Sequence, residues 1–171
     1  IGYLEQSPIF NHDESVLEAC FNHENSEELV IKYKQILTQL KIKNFDQLMG
    51  QLSGGQQKRV ALANVLITEP NFIIMDEPTN HLDLEMIEWL EGYLNRGTKT
   101  LLMVTHDRFF LDRVCNTILE LDNEQIYTYR GNYSYYLEKR QERIDNTRSE
   151  IARANNLYRT ELEWMRRMPQ A

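Results

Sequence analysis

Residues 52–83 read LSGGQQKRVALANVLITEPNFIIMDEPTNHLD, and the fold of the chain follows from how this run is parsed. It opens as a helix start: Ser53 is placed to cap, and Gln56, three positions on, to reach back and complete a capping box. Gly54 and Gly55 keep side chains away from the first turn, so its free amides, at the positive end of the helix dipole, form a site for phosphate. An ordinary capped helix carries the same Ser-x-x-Gln, so the turn alone does not establish that site. Thr68-Glu69-Pro70 then stops the helix, and Phe72, Ile73, Ile74 and Met75 form an unbroken apolar run that closes on Asp76-Glu77. Such a run fits a parallel strand covered on both faces. Ligands of open α/β sheets collect at the carboxyl ends of the strands, which places this pair of acids where chemistry is done. Successive strand side chains point opposite ways, giving the two acids separate tasks: Asp76 to hold Mg²⁺, directly or through water, and Glu77 to face an attacking water.

Leu52-Ser53-Gly54-Gly55-Gln56, the apolar strand ending Asp-Glu-Pro-Thr, and His81-Leu82-Asp83 together resemble the signature motif, Walker B and D-loop of the ATP-binding cassette (ABC) ATPases. With Asn80 and His81, EPTNHLD resembles the ABC-F branch, soluble proteins with paired cassettes that act on ribosomes, more closely than most transporter cassettes. The resemblance implies that ATP is sandwiched between the Walker motifs of one cassette and the signature of the other. Asp76, Glu77, Gln6 and His106 would then serve one nucleotide, Ser53, Gly54, Gly55 and Gln56 another, and Asp83 would couple the two sites. Gln6, about 46 residues upstream of the signature, matches the Q-loop glutamine whose amide oxygen approaches Mg²⁺. His106, in Thr105-His106-Asp107-Arg108-Phe109-Phe110-Leu111-Asp112, resembles the switch histidine that contacts the γ-phosphate, and this phrase too is similar to ABC-F cassettes.

Composition narrows the class. At 171 residues and 42% hydrophobic content, the chain can bury one sizeable core with an appendage. No apolar run approaches the roughly 18 residues of a membrane span, and IGYLEQSP is neither a signal nor a transit peptide, so a soluble, cytoplasmic protein without membrane partners is expected. Cys20 and Cys115 lie far apart, without metal-ligand spacing, and read as reduced structural thiols. The four histidines are scattered. A net charge of −7 argues against a general polyanion-binding surface, although residues 138–167 hold eight basic against six acidic side chains.

Upstream of the central run, Gly2 to Leu4 reads as a strand end, followed by the breaker Ser7-Pro8. Asp13 to Phe21 and Asn25 to Leu40 carry helical periodicity, the second with Asn25 as N-cap and Glu28 reciprocating. Leu29, Tyr33, Ile36 and Leu40 supply an apolar face that Phe45, Leu48, Met49 and Leu52 continue. Behind the signature turn, Val60 to Ile67 make a helix apolar nearly all round and therefore buried, with Lys58 and Arg59 left to assist an anion or to form surface salt bridges. Leu84 to Leu94 reads as an amphipathic helix ending near Gly92 and Gly97, and Leu101 to Val104 as a second continuous apolar strand, ending in Thr105-His106-Asp107. Thr117 to Leu121 and Gln125 to Tyr129 read as a hairpin around Asp122-Asn123. From Gly131-Asn132 the pattern becomes one long helix, with Leu137, Ile144, Ile151, Tyr158 and Met165 spaced by seven, a coiled-coil periodicity that calls for a partner. Tyr129 to Glu138 resembles the start of the helical-hairpin linker between ABC-F cassettes.

The expected fold is thus α/β: a partial P-loop NTPase (ABC cassette) fold with a helical subdomain and a long carboxyl-terminal coiled-coil-like helix. Residues 1–6 are the end of a core strand and the Q-loop, 7–52 the helical subdomain, 53–131 the ATPase core, and 132–171 the first arm of the inter-cassette linker. No G-x-x-x-x-G-K-[ST] occurs. With Ile1 in place of Met, the chain reads as a piece of a longer ATP hydrolase whose second cassette lies in the same parent protein and which acts with the ribosome and its rRNA. Alone it is expected to be inactive and to self-associate through uncovered sheet edge and the last helix. One alternative is the energising subunit of an ABC membrane transporter. A chromosome- or repair-type coiled-coil ATPase would need a longer insert than Ser7 to Gln51.

Overall fold

The computed structural model describes residues 1–20, 27–96 and 98–167, which fall into two compact units, Ile1–Val114 and Cys115–Ala171. In the first, strands β1 (Gly2–Leu4), β2 (Phe72–Asp76) and β3 (Thr100–Val104) form a parallel sheet in the order β1-β2-β3. Leu4 lies opposite Met75, and Asp76 opposite Val104, so the carboxyl ends of all three strands come out at one edge. Paired residues share a face. One face buries Leu4, Ile73 and Met75 almost completely, with Leu101 and Met103 packed beside them. On the other, Tyr3, Leu102 and Val104 are exposed and Ile74 only half-buried. Cover on both faces, the expectation for these apolar runs, is realised on one, because the helices of this unit pack on that side.

The helical part begins with α1 (Val16–Cys20), shorter than the periodicity from Asp13 implied. Its start is set by a reciprocal cap: Ser15 Oγ accepts the Glu18 amide proton at 3.2 Å, and Glu18 Oε2 accepts from the Ser15 amide at 2.8 Å. The proposed Asn25 cap and Phe21 lie outside the described residues. Helix α2 (Glu27–Gln39) buries Tyr33, Ile36 and Leu37, and Leu40 and Ile42 extend this face. A 3₁₀ turn at Met49–Gln51 leads into α3 (Gly54–Ile67), buried nearly all round as its sequence demands. Helix α4 (Leu84–Leu94) keeps its expected bounds; Asn95 is its C-cap, Gly92 lies within it, and Gly97 is outside the described residues. A short helix not anticipated from sequence, α5 (Arg108–Val114), follows β3. Asp107 starts it by accepting the Phe110 amide at 3.0 Å.

The second unit is a hairpin and a helix. Strands β4 (Thr117–Asp122) and β5 (Gln125–Arg130) pair antiparallel around Asn123-Glu124. These two residues have φ of 47° and 62°, the left-handed pair that a two-residue hairpin turn requires. Helix α6 (Tyr133–Arg167) runs for 35 residues, none of them buried. Asn132 caps it, its side chain accepting the Tyr135 amide. Leu137, Ile151, Tyr158 and Met165 of the seven-residue stripe are exposed, so no second helix covers them among the described residues. Arg140, out of place in a coiled-coil seam, is used instead at the hairpin: Glu120 accepts from Arg140 at 2.6 Å, from Arg143 at 2.9 Å and from the Tyr129 hydroxyl at 3.0 Å. The Arg143 guanidinium lies 3.7 Å from the Tyr127 ring centre.

Candidate functional site

The carboxyl edge of the parallel sheet gathers four of the residues singled out from sequence. Gln6 follows β1 by two residues, Asp76 ends β2, Glu77 comes next, and His106 follows β3 by two. Gln6 is exposed, and Asp76 is half-buried on the sparsely covered face of the sheet. Glu77 is 7% exposed, with φ of 47°. Left-handed backbone is costly for a residue with a Cβ and persists only where the surroundings enforce it. They do so here, since the Glu77 amide donates to Val104 O at 2.8 Å. The separation of Asp76 from Glu77 therefore comes from this left-handed turn at the strand end rather than from continued strand alternation.

The turn aims the Glu77 carboxylate at the end of β3. Its Oε2 accepts from Thr105 Oγ1 at 3.2 Å and from the His106 amide at 3.3 Å. Its Oε1 is buried without a hydrogen-bond partner; His106 Nε2 stands 3.4 Å away, close enough for attraction but not aligned for a hydrogen bond. The His106 side chain is almost fully exposed. A buried carboxylate oxygen with no donor is energetically expensive, so the geometry holds an acceptor ready for one more proton donor.

At the other end of the run, the capping box is present in full: Gln56 N donates to Ser53 Oγ at 3.3 Å, and Ser53 N to Gln56 Oε1 at 2.9 Å. A Cβ added at Gly54 would meet nothing within 4 Å, which leaves the first turn open to an anion. Gly55 has a different reason. A Cβ there would come within 3.1 Å of the His81 Cβ, so this glycine seats His81, itself at φ of 65°. Asp83 caps α4 by accepting the Met86 amide at 3.1 Å and pairs with Lys41 at 2.7 Å. The Lys41 hydrogen bond, with that of the Met86 amide, holds the Asp83 carboxyl below its usual range. Lys58 forms no surface salt bridge: it is 5% exposed and donates to Asp76 O at 3.3 Å, tying α3 to the end of β2. Arg59 Nη1 lies 3.7 Å from Met86 Sδ instead of pairing with an acid.

Thr105, Lys58 and Lys41 were not assigned these tasks from sequence. Lys58 had a signal, because it shares the buried stripe of Ala61, Leu62 and Val65 at helical spacing. Thr105 and Lys41 act across strand and helix ends that no local pattern predicts. Cys20 and Cys115 are free thiols as expected, and burial pushes Cys20 up to about 12. No group of three or more His, Cys, Asp or Glu side chains among the described residues could by itself hold a metal.

A family profile described as ABC transporter matches residues 1–80, and an extension profile with the same description matches 119–171. The chain is 49% identical over 134 residues to the uncharacterized ABC transporter ATP-binding protein YfmR of Bacillus subtilis, covering 78% of this chain and 21% of that one. It is 41% identical over 150 residues to the energy-dependent translational throttle protein EttA of Mycobacterium tuberculosis, and 37% identical over 150 residues to EttA of Escherichia coli. Each of these two matches covers 88% of this chain and 27% of the relative. The chain belongs to the ABC-F group of ABC ATPases. This ABC-F chain spans only about a quarter of the length of those relatives. Its fold also matches the ATP-binding subunit of an ABC transporter, with a TM-score of 0.67 at 19% identity over 75% of this chain and 58% of that one. A dimeric bacterial ABC transporter cassette gives 0.63 at 26% identity, over 76% and 62%. No helix among the described residues of the ABC-F chain is long and apolar enough to cross a membrane.

Proposed function

We propose that these residues are the Q-loop-to-linker part of a cytoplasmic ABC-F protein whose paired cassettes hydrolyse ATP and act on the ribosome. The observation that carries the catalytic half is the buried, unpartnered Glu77 Oε1 at the carboxyl edge of the sheet. It accepts a hydrogen bond from a water and draws off its proton as the water oxygen bonds to the γ-phosphorus and the bond to the ADP oxygen breaks. His106, exposed 3.4 Å away, meets the charge that develops on the γ-phosphoryl oxygens. Thr105 and the His106 amide keep Oε2 occupied, so the carboxylate presents one oxygen only.

Mg²⁺ fits a site with few protein ligands: Asp76 and the Gln6 amide oxygen would hold it, with phosphate and water oxygens as the remaining donors, in keeping with its habit of binding through one or two carboxylates plus substrate. When bound, it neutralises phosphate charge. The open first turn of α3, capped by Ser53 and Gln56 and bare at Gly54 and Gly55, serves the nucleotide of the partner cassette, and Asp83 relates the two sites. The ribosomal half rests on the likeness to translational throttle proteins and on the match of residues 119–171 to an extension profile. A transporter subunit is favoured by the profile descriptions, the printed name of YfmR and the fold likeness. The chain alone, with no glycine-rich phosphate loop and with exposed Tyr3, Leu102 and Val104, neither binds ATP nor stays monomeric.

The test is co-sedimentation of the whole-gene Glu77→Gln protein with ribosomes, with and without ATP. Losing a general base lowers turnover by about a hundredfold or more, so the variant should bind ATP, barely hydrolyse it and pellet with ribosomes only when ATP is present. Undiminished turnover would remove Glu77 from its role, and ATP-independent pelleting would remove the coupling.

A further inference from the structure

The segment from Glu77 to Asp83 is a chain of tight turns, with Asn80 N donating to Glu77 O at 3.3 Å and Leu82 N to Thr79 O at 3.2 Å. One end is the left-handed Glu77; the middle is the left-handed His81 seated on Gly55; the other end is Asp83. Both oxygens of Asp83 are engaged, Oδ1 by the Met86 amide and Oδ2 by Lys41. Lys41 also reaches Glu85 at 2.9 Å. It comes from the far side of the helical part, two residues beyond the end of α2.

Lys41 is itself an outlier. Its φ is 59°, the left-handed position just past a helix where glycine is the ordinary occupant. The chain there turns on Lys41 N donating to Thr38 O at 3.0 Å and Ile42 N to Leu37 O at 2.8 Å. A lysine in that place is less stable than glycine, and an exposed ion pair adds little to the stability of a fold, the two side chains being 42% and 46% exposed. Stability does not account for the residue; the contact it makes does.

We propose that Lys41 is a positioning residue of the ATPase reaction, holding Asp83 and through it the turn segment that begins at Glu77 and bonds its carbonyl. This rests on the assignment of Glu77 above. It acts through another residue and touches no substrate, so its loss lowers kcat and leaves KM nearly unchanged.

The structure supplies its own control. Glu69, with φ of 42°, ends α3 in the same left-handed manner and pairs with Lys32, away from the carboxyl edge. The experiment compares Lys41→Gly, Lys41→Arg and Glu69→Gly in the whole-gene protein, reading ATP turnover, melting temperature and hydrogen exchange of the amides from Leu82 to Met86. In Lys41→Gly, kcat should fall about fivefold, the size of effect that loss of one such contact allows, with KM within about twofold. Its melting temperature should hold or rise by up to about 3 °C as the strain is relieved, while the Leu82–Met86 amides exchange about fivefold faster. Lys41→Arg should restore turnover, and Glu69→Gly should leave it unchanged. Unaltered kcat and exchange in Lys41→Gly, or a fall in kcat that tracks a falling melting temperature, would overturn the proposal. Were the parent protein to show no ATP turnover, the catalytic reading would fail, and the exchange rates would still decide whether Lys41 holds the segment.

Discussion

Phe109 and Phe110 are adjacent and identical in type, and the structure gives them opposite weights. Phe110 is fully buried in the core, the only buried residue of α5, whereas Phe109 is 80% exposed. Truncating a buried phenylalanine to alanine costs about 3–5 kcal/mol, from lost transfer energy and from a cavity that neighbours refill incompletely. That is roughly a third of the stability of an ordinary domain and would lower the melting temperature by about 10 °C. Phe109→Ala should stay within about 0.5 kcal/mol. Because α5 follows His106 directly and is fastened through Phe110, the loss also frees the end of β3 on which Glu77 leans. The measurement is urea unfolding followed by the fluorescence of Trp89, half-buried in the same unit, in a Trp164→Phe background so that α6 is silent. Equal effects of the two truncations, or a Phe110→Ala cost below about 1.5 kcal/mol, would refute the burial argument.

Two further outcomes follow from local contacts. Ser53→Ala should cost the first unit about 1 kcal/mol through loss of the cap, and Ser53→Thr should recover most of it; an alanine variant as stable as the parent in the same assay would show that Gln56 alone satisfies the turn. For Glu120, burial alone would push the carboxyl up, but hydrogen bonds from Arg140 and Tyr129 and the charges of Arg143 and Arg140 outweigh it and hold the group below its ordinary value of 4.5. A lowered folded-state value means the hairpin-to-α6 contact is at full strength above the ordinary carboxylate range and weakens as pH falls through the lowered value. Acid titration with hydrogen exchange read at Tyr127–Tyr129 should show this and lose it in Glu120→Gln; identical titrations would dissociate Glu120 from the contact.

Much of the architecture was readable in the sequence because it is written in local patterns. The Ser53–Gln56 box, the buried α3, the bounds of α4 and the hairpin around Asn123 each depend on residues within a few positions of one another. The same was true of α1, where Ser15-Val16-Leu17-Glu18 is a capping box that the helical periodicity from Asp13 obscured. Two features were not readable. The left-handed turn at Glu77 is imposed by Val104 O from a strand 27 residues on, and the partner of Lys58, a carbonyl at the end of β2, is not given by the buried stripe in which Lys58 lies. That Glu77 and His106 would meet at one edge follows from where the two apolar runs end, whereas Thr105, Lys58 and Lys41 act through contacts between distant segments.

Helix α6, 35 residues long with none buried, can be considered as a polymer with a helix–coil equilibrium of its own. It extends about 50 Å when fully wound and is longer than the roughly 12–15 residues below which an isolated helix is marginal, so only its ends are left to fray. Around the grip of Glu120 on Arg140 and Arg143 lie the intrahelical pairs Lys139 with Glu142 and Gln141 with Asp145, and just past it Arg148 with Asp145 at 3.9 Å, each contributing only a few tenths of a kcal/mol. Where the outer turns fray, a partner that fastens on the Ile151–Met165 stripe has to complete the winding as it binds. Substitutions on its solvent face that touch nothing, changing only helical propensity, then alter the affinity of the arm as surely as substitutions in the stripe.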